Sequence, residues 1–373
     1  MSADAERASE LVRALRLAAL LHEREVDLLL VGEPVNLRYL TGFTGSNGLA
    51  LIAAGEDSPQ RFLTDFRYAT QSAEQVPALY EREIVQLDLL ETAAQELSEQ
   101  PSGGRLGFDD AALTVKQHLR LQELLGDRWE LVACAGLVES LRERKDAAEL
   151  RRIHAAAQLA DEALREVLAA GLVGRTEREV AIELELRMRR LGASAPSFPS
   201  IVAAGSHSAL PHAEARDVAI ARDTLVTIDW GALHEGYCSD CTRTYATGEH
   251  LPEEDREIYE LVLRAQLAGL AAVRPGPSGR EVDGVAREVI AQAGHGEHFG
   301  HGLGHGVGLQ VHEAPRLSRT AGEQPLRAGH VVTVEPGVYL PGRVGVRIED
   351  LVLVTADGHT VLSGLPKELT VVA

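Results

Sequence analysis

One glycine-rich segment gathers three of the fourteen histidines of this 373-residue chain. Residues 299–315 read FGHGLGHGVGLQVHEAP and hold His301, His305 and His312. Imidazoles are general acids and bases near neutral pH, and they are common metal ligands. Glycines beside them let other groups approach closely. No Walker-type Gly-Lys-Ser/Thr and no strand–GxGxxG–helix setting accompanies the glycines, so they do not read as a phosphate cradle. Two carboxylates stand out further on. Residues 331–337, VVTVEPG, put Glu335 at the end of an apolar strand. Residues 344–351, VGVRIEDL, put Glu349 inside one. A carboxylate among apolar residues is costly unless paired or metal-bound. Strand alternation sets Arg347 on the face of Glu349, where a plain ion pair is the simplest account.

A second acidic pair lies in residues 224–244, TLVTIDWGALHEGYCSDCTRT. Two strand-like runs flank His234-Glu235-Gly236. A turn centred between His234 and Glu235 sets Asp229 directly opposite Asp240. Like charges so opposed destabilise a sheet, and a divalent cation between them removes the conflict. The same run contains Cys238-x-x-Cys241. On a strand those thiols face opposite ways, so they do not read as a redox pair. Cys238 shares a face with Asp240.

The elements around these residues fall into two parts, 1–135 and 136–373. In the first, short apolar runs at 26–31, 49–53, 61–63, 83–85, 105–108 and 129–132 alternate with helical stretches at 66–75, 88–97 and 115–125. That order predicts an α/β domain with helices on a sheet. In the second, helices are expected over 146–170, 176–192, 253–273 and 279–293. Thr176 and Glu179 have the spacing of a capping box. Strands return after Pro196, near 331–335, 345–354 and 360–362. Helices grouped around turn-punctuated strands predict an α+β domain on an antiparallel sheet.

Composition narrows the function. With 37 Lys+Arg against 56 Asp+Glu, the formal charge is −19. That disfavours a nucleic-acid partner or an anionic membrane surface. No apolar run approaches the roughly 18–20 residues of a membrane span, and charges interrupt residues 1–27 where a secretory signal needs an apolar stretch. Three cysteines cannot all pair, which points to a reducing cytoplasm.

Asp229, Asp240, His305, Glu335 and Glu349, in that order, resemble the dinuclear metal site of the pita-bread metallopeptidases. That group includes methionine aminopeptidases, aminopeptidase P and prolidase. YLTGFTGSNG (residues 39–48) and FLTDFRYATQ (62–71) resemble the creatinase-type N-terminal domain of the prolidase and aminopeptidase P branch. The resemblance covers essentially the whole chain. It implies a creatinase-like domain over 1–135 and a pita-bread catalytic domain over 136–373. It also implies hydrolysis of Xaa-Pro peptides by a metal-bridging hydroxide, in a homodimer.

The resemblance further implies that Asp240 and Glu349 bridge two cations, that Asp229 binds one, and that His305 and Glu335 bind the other. Four carboxylates balance two divalent ions, and an oxygen-rich set with one imidazole suits Mn2+, with Co2+ or Zn2+ as alternatives. Glu335 is the expected proton shuttle. His212, in SALPHA, belongs on the leaving-group or oxyanion side, and His312 stabilises the tetrahedral intermediate. Arg347 orients the bridging carboxylates. Arg316, in HEAPR, is expected to bind the free carboxylate of a C-terminal proline, with His301 lining that pocket. A longer peptide has no carboxylate there, so Arg316 favours a dipeptidase, with aminopeptidase P as the alternative. Residues 36–38 of a partner subunit are candidates to shape the pocket. Retention of all five ligands argues against a creatine amidinohydrolase and against a non-catalytic histone- or nucleic-acid-binding module of the same fold.

Overall fold

The computed structural model describes residues 3–55 and 60–373, with the side chains of its first helix described from residue 12. Met1, Ser2 and the charged side chains before residue 12 lie outside the described residues. The chain divides into two units, Met1–Arg142 and Glu143–Ala373. The expected boundary near residue 135 falls just after the last strand of the first unit.

The first unit runs α1 (Ala3–Glu23), β1 (Leu28–Val31), α2 (Pro34–Thr41), β2 (Gly48–Ala53), β3 (Gln60–Asp65), α3 (Ala69–Gln75), β4 (Tyr80–Val85), α4 (Leu89–Glu99), β5 (Gly104–Phe108), α5 (Val115–Leu125), β6 (Trp129–Ala133) and α6 (Leu137–Arg142). Among the described residues its sheet has the order β4-β3-β2-β1-β5-β6. β1, β5 and β6 are mutually parallel along the sheet, as are β3 and β4, while β2 runs antiparallel to both its neighbours. Leu30, Leu51, Leu63 and Leu106 of the sheet pack against Leu90, Ala93 and Leu97 of α4 and Leu121 of α5. The Asp88 carboxylate caps α4, and a Thr114–Gln117 capping box starts α5. The sequence reading had no helix at α2. That helix has only eight residues, and although Pro34 at its first position is a start signal, its cap is Glu33 and not the usual Ser, Thr, Asp or Asn.

The second unit runs α7 (Ala147–Ala169), α8 (Glu177–Arg190), β7 (Ala195–Pro196), β8 (Ile201–Ala204), β9 (Leu225–Trp230), β10 (Ala232–His234), β11 (Tyr237–Cys238), β12 (Cys241–Ala246), α9 (Glu253–Ala272), α10 (Gly279–Gln292), β13 (Gly304–Gly306), β14 (Glu313–Leu317), β15 (Val331–Val334), β16 (Gly337–Leu340), β17 (Val344–Arg347), β18 (Asp350–Val354) and β19 (His359–Val361). Among the described residues its named strands pair antiparallel throughout, in the orders β12-β9-β8, β11-β10-β7, β14-β13-β15-β18-β19 and β16-β17. Three of the four expected helices start from side-chain caps, while α9 follows Pro252 with no side-chain cap. Asp146–Glu149, Thr176–Glu179 and Ser278–Glu281 each form a reciprocal capping box.

Two apolar layers hold the strands. Leu164 and Val167 of α7 and Val180 and Leu184 of α8 pack on Val202, Ile228 and Trp230. Val262 of α9 and Val282 and Ile290 of α10 pack on Val332, Val334, Val346 and Val352. Each layer buries one face of its strands, which leaves the opposite face to carry polar groups.

Candidate metal centre

Asp229 lies near the end of β9, Asp240 between β11 and β12, and Glu349 in the short link between β17 and β18. One carboxylate oxygen from each lies within 4.8 Å of the other two. His305 is the central residue of β13, and Glu335 follows β15 directly. His305 Nε2 stands 3.3 Å from Glu335 Oε1 and 3.6 Å from Asp240 Oδ2. Glycine is required on both sides of His305. A Cβ on Gly304 would come within 2.0 Å of the Thr333 carbonyl oxygen, and one on Gly306 within 2.2 Å of the Ala314 oxygen.

The hairpin differs from its expected register. Asp229 faces Thr242, not Asp240, and His234 pairs with Tyr237. The loop is Glu235-Gly236, with φ of 47° and 84°. Two-residue hairpin loops favour positive φ at both central positions, and Gly236 supplies the second without strain. The turn is therefore centred one residue later than read. Asp240, just before β12, still joins Asp229, but not as its direct cross-strand partner.

The expected Arg347–Glu349 pair is also corrected. Arg347 closes β17, Glu349 lies beyond the strand end, and the guanidinium turns to Asp229, with Nη2 2.7 Å from Oδ2. Its Nε donates to Thr242 Oγ1 at 3.0 Å, and Thr242 Oγ1 donates to Glu349 Oε2 at 2.7 Å. Its Nη1 donates to Tyr339 Oη at 2.8 Å. Cys241, not Cys238, touches the cluster: its Sγ lies 3.3 Å from the Glu349 carbonyl oxygen. Cys134, Cys238 and Cys241 are free thiols.

Electrostatics separate the four carboxylates. Burial, then the charges of Glu349 and Asp229, push Asp240 well above the usual carboxylate range. Burial, then Glu335 and Asp229, do the same to Glu349. Burial raises Asp229 against the opposing pull of Arg347. Burial also presses Glu335 upward, but the hydrogen bond and charge of His305, with His301 and Arg347, outweigh it and hold Glu335 at about 2. Asp229 Oδ1 is buried with no hydrogen-bond partner. An orphaned carboxylate oxygen amid mutually repelling carboxylates is what divalent cations would satisfy, and hard oxygen donors with one imidazole fit them.

The remaining predicted residues lie around this cluster. The His312 ring meets the His305 ring edge-on at 4.3 Å. Burial, then His305, holds His312 below its ordinary value, and the charges of His212 and Arg316 also reach it. His212 is exposed, and Arg316 is exposed on β14. His301 has both ring nitrogens engaged, Nδ1 with the Gly302 carbonyl at 2.7 Å and Nε2 with Tyr339 Oη at 2.9 Å. Asn36 is buried, bonded to Glu139 and Arg142 of its own unit. Thr242, Thr333 and Tyr339 escaped the sequence reading. Thr333 Oγ1 accepts from His305 N and donates to Glu335 Oε1, each at 3.0 Å. Both threonines sit two positions from a cluster carboxylate, and that strand spacing was the available signal.

Comparison with known proteins agrees with this architecture. Residues 151–356 match metallopeptidase family M24, and residues 13–144 match the creatinase/prolidase N-terminal domain. A Pyrococcus furiosus protein named Xaa-Pro dipeptidase is 35% identical over 363 residues, 96% of this chain and 99% of its own. A solved structure described as Xaa-Pro dipeptidase from Bacillus anthracis has a TM-score of 0.92 and 40% identity, covering 97% of this chain and 99% of that one. Another, described as X-Pro aminopeptidase from Thermotoga maritima, has a TM-score of 0.85 and 34% identity, covering 94% and 99%. The buried carboxylate cluster thus sits in a metal-dependent peptidase: the chain belongs to metallopeptidase family M24, with a creatinase/prolidase N-terminal domain ahead of the catalytic one.

Proposed function

We propose that this peptidase hydrolyses Xaa-Pro dipeptides, using two divalent cations, Mn2+ first among them, held by Asp229, Asp240, His305, Glu335 and Glu349. The observation that carries the reading is the cluster itself. Three carboxylates converge within 4.8 Å beside the His305–Glu335 pair, with Asp229 Oδ1 left without a partner. Cations at such a site polarise the scissile carbonyl and lower the pKa of a water.

The chain's own residues would do the rest. Glu335, beside His305, would take the proton released by the attacking water and deliver it to the proline nitrogen. His312, neutral near pH 7, donates a hydrogen bond to the developing oxyanion, with His212 on the leaving-group side. Arg347 fixes Asp229 and, through Thr242, Glu349. Arg316 receives the carboxylate of the proline, and His301, its nitrogens already occupied, offers its ring face. Domains spanning 1–135 and 136–373 divide substrate shaping from chemistry. Free thiols support a reducing cytoplasm, which fractionation tests, with recovery outside the cytoplasm as the contrary result. Likeness to prolidases supports a homodimer. Sedimentation equilibrium giving the 40.2 kDa chain mass and not twice it would remove the dimer.

The deciding experiment compares Xaa-Pro dipeptides with Xaa-Pro-Xaa tripeptides under added Mn2+. Fast dipeptide turnover with slow tripeptide turnover is expected. Comparable rates would replace this reading with an Xaa-Pro aminopeptidase.

A further inference from the structure

Glu177 is the first residue of α8, and it is fully buried. A buried carboxylate is costly unless its oxygens are fully used. The helix does not need it, because the Thr176–Glu179 capping box already serves that end. Its side-chain partners lie in one segment, 204–216. Oε1 accepts from Ala204 N at 2.9 Å and from Arg216 Nη2 at 3.0 Å. Oε2 accepts from Arg216 N at 3.1 Å and Arg216 Nε at 3.0 Å. Between those ends, His207 Nδ1 lies 3.0 and 3.1 Å from the two oxygens. Burial pushes Glu177 upward, but the bonds from Arg216, the two amides and His207 outweigh it and hold its pKa below the ordinary value.

The segment so gripped carries His212, four residues before Arg216. Its middle is pinned to β17, since Gly345 N donates to Ser208 Oγ at 2.8 Å and Arg347 Nη1 donates to the Pro211 carbonyl at 3.2 Å. His212 itself is exposed, so its place depends on the backbone that bears it. We infer that Glu177 is a positioning residue for His212, its carboxylate clamping both ends of the 204–216 segment. The inference rests on the peptidase reading above for its catalytic consequence and on geometry alone for the clamp.

The test uses the full chain with Mn2+ and Xaa-Pro dipeptides. Glu177→Gln keeps the size but faces the arginine and amide donors with an NH2 group. It is expected to lower kcat/KM by about 10- to 100-fold, the order lost with a hydrogen bond to a charged group, with Mn2+ affinity unchanged. Deuterium exchange should rise across residues 205–215 and not in α9. In a His212→Ala background the same substitution should cost nothing more. Should Glu177→Gln fail to fold, Arg216→Gln removes the side-chain donors and keeps the backbone one, with a smaller loss and the same local rise in exchange. Unchanged exchange over 205–215 in the folded variant overturns the clamp. An equal activity loss with and without His212 overturns the positioning role. Wild-type protein inactive on every Xaa-Pro dipeptide would remove the peptidase reading alone, and exchange would still decide the clamp.

Discussion

Arg347 and Asp229 form a partly buried one-to-one contact, Nη2 to Oδ2 at 2.7 Å, which leaves Asp229 Oδ1 without a hydrogen-bond partner. One oxygen is oriented by the guanidinium and the other is held ready for a different positive charge.

Metal should stabilise the fold measurably. Cations binding only the folded chain at 100 times their dissociation constant add about 2.7 kcal/mol. Adding Mn2+ to chelator-stripped wild type should therefore raise Tm. Asp240→Asn removes one of the mutually repelling charges, so its metal-free Tm should equal or exceed wild type while activity and the Mn2+ response vanish. Retained turnover or a retained Mn2+ shift in that variant would exclude the proposed site.

Thr242→Val keeps the shape of the side chain and deletes the hydroxyl that joins Arg347 Nε to Glu349 Oε2. Loss of such a link commonly costs about 10- to 100-fold in metal affinity or activity, and the same is expected here by Mn2+ titration and kcat/KM. An affinity within twofold of wild type would show that Glu349 does not depend on the hydroxyl.

Arg316→Ala should act on KM more than on kcat. A charge-assisted hydrogen bond contributes about 1.5–3 kcal/mol, so a rise in KM for Xaa-Pro dipeptides of about 10- to 150-fold is expected. Xaa-Pro amides, which lack the carboxylate, should be indifferent. Equal effects on acid and amide would reduce Arg316 to a surface residue of β14.

His330 gives a pH prediction away from the cluster. It is 3% exposed, and Arg327 N donates to its Nδ1 at 3.3 Å. Burial, then the charges of Lys145, Arg144 and Arg327, lowers its pKa to about 4. In the unfolded chain it titrates near about 6.5. Between those values the unfolded state binds more protons, so stability falls as pH drops from about 6.5 to about 4 and this contribution is flat below. The loss is on the order of 3 kcal/mol. Urea midpoints of wild type and His330→Gln should converge toward pH 4. A difference that stays constant across that window counts against a neutral buried imidazole.

The long elements were legible because their signals are local. α7, α8, α9 and α10 match the expected spans to within three residues at either end, and α8 starts on the capping box read from Thr176 and Glu179. The hairpin register was misread because it depends on which residues take positive φ, a choice Gly236 decides. The run over 345–354 hid a break: β17 pairs with β16 while β18 pairs with β15, and Glu349 occupies the joint. Glu335 and Glu349 announced themselves by being costly in apolar strands, Asp229 and Asp240 by their like charges in one hairpin, and His305 by its glycine-rich setting. Thr242 and Thr333 carry no such cost, so their linking role emerges only once strands are paired.

The cluster is assembled from β9, the β11–β12 junction, β13, the end of β15 and the β17–β18 link. A growing polypeptide therefore reaches the ribosome exit without a usable site until Glu349 has emerged and β18 has docked beside β15. A proteolytic fragment ending anywhere before that joint would be inert. With the proposed ligand set, completion of the site therefore waits on the pairing of β18 with β15, near the end of the catalytic unit.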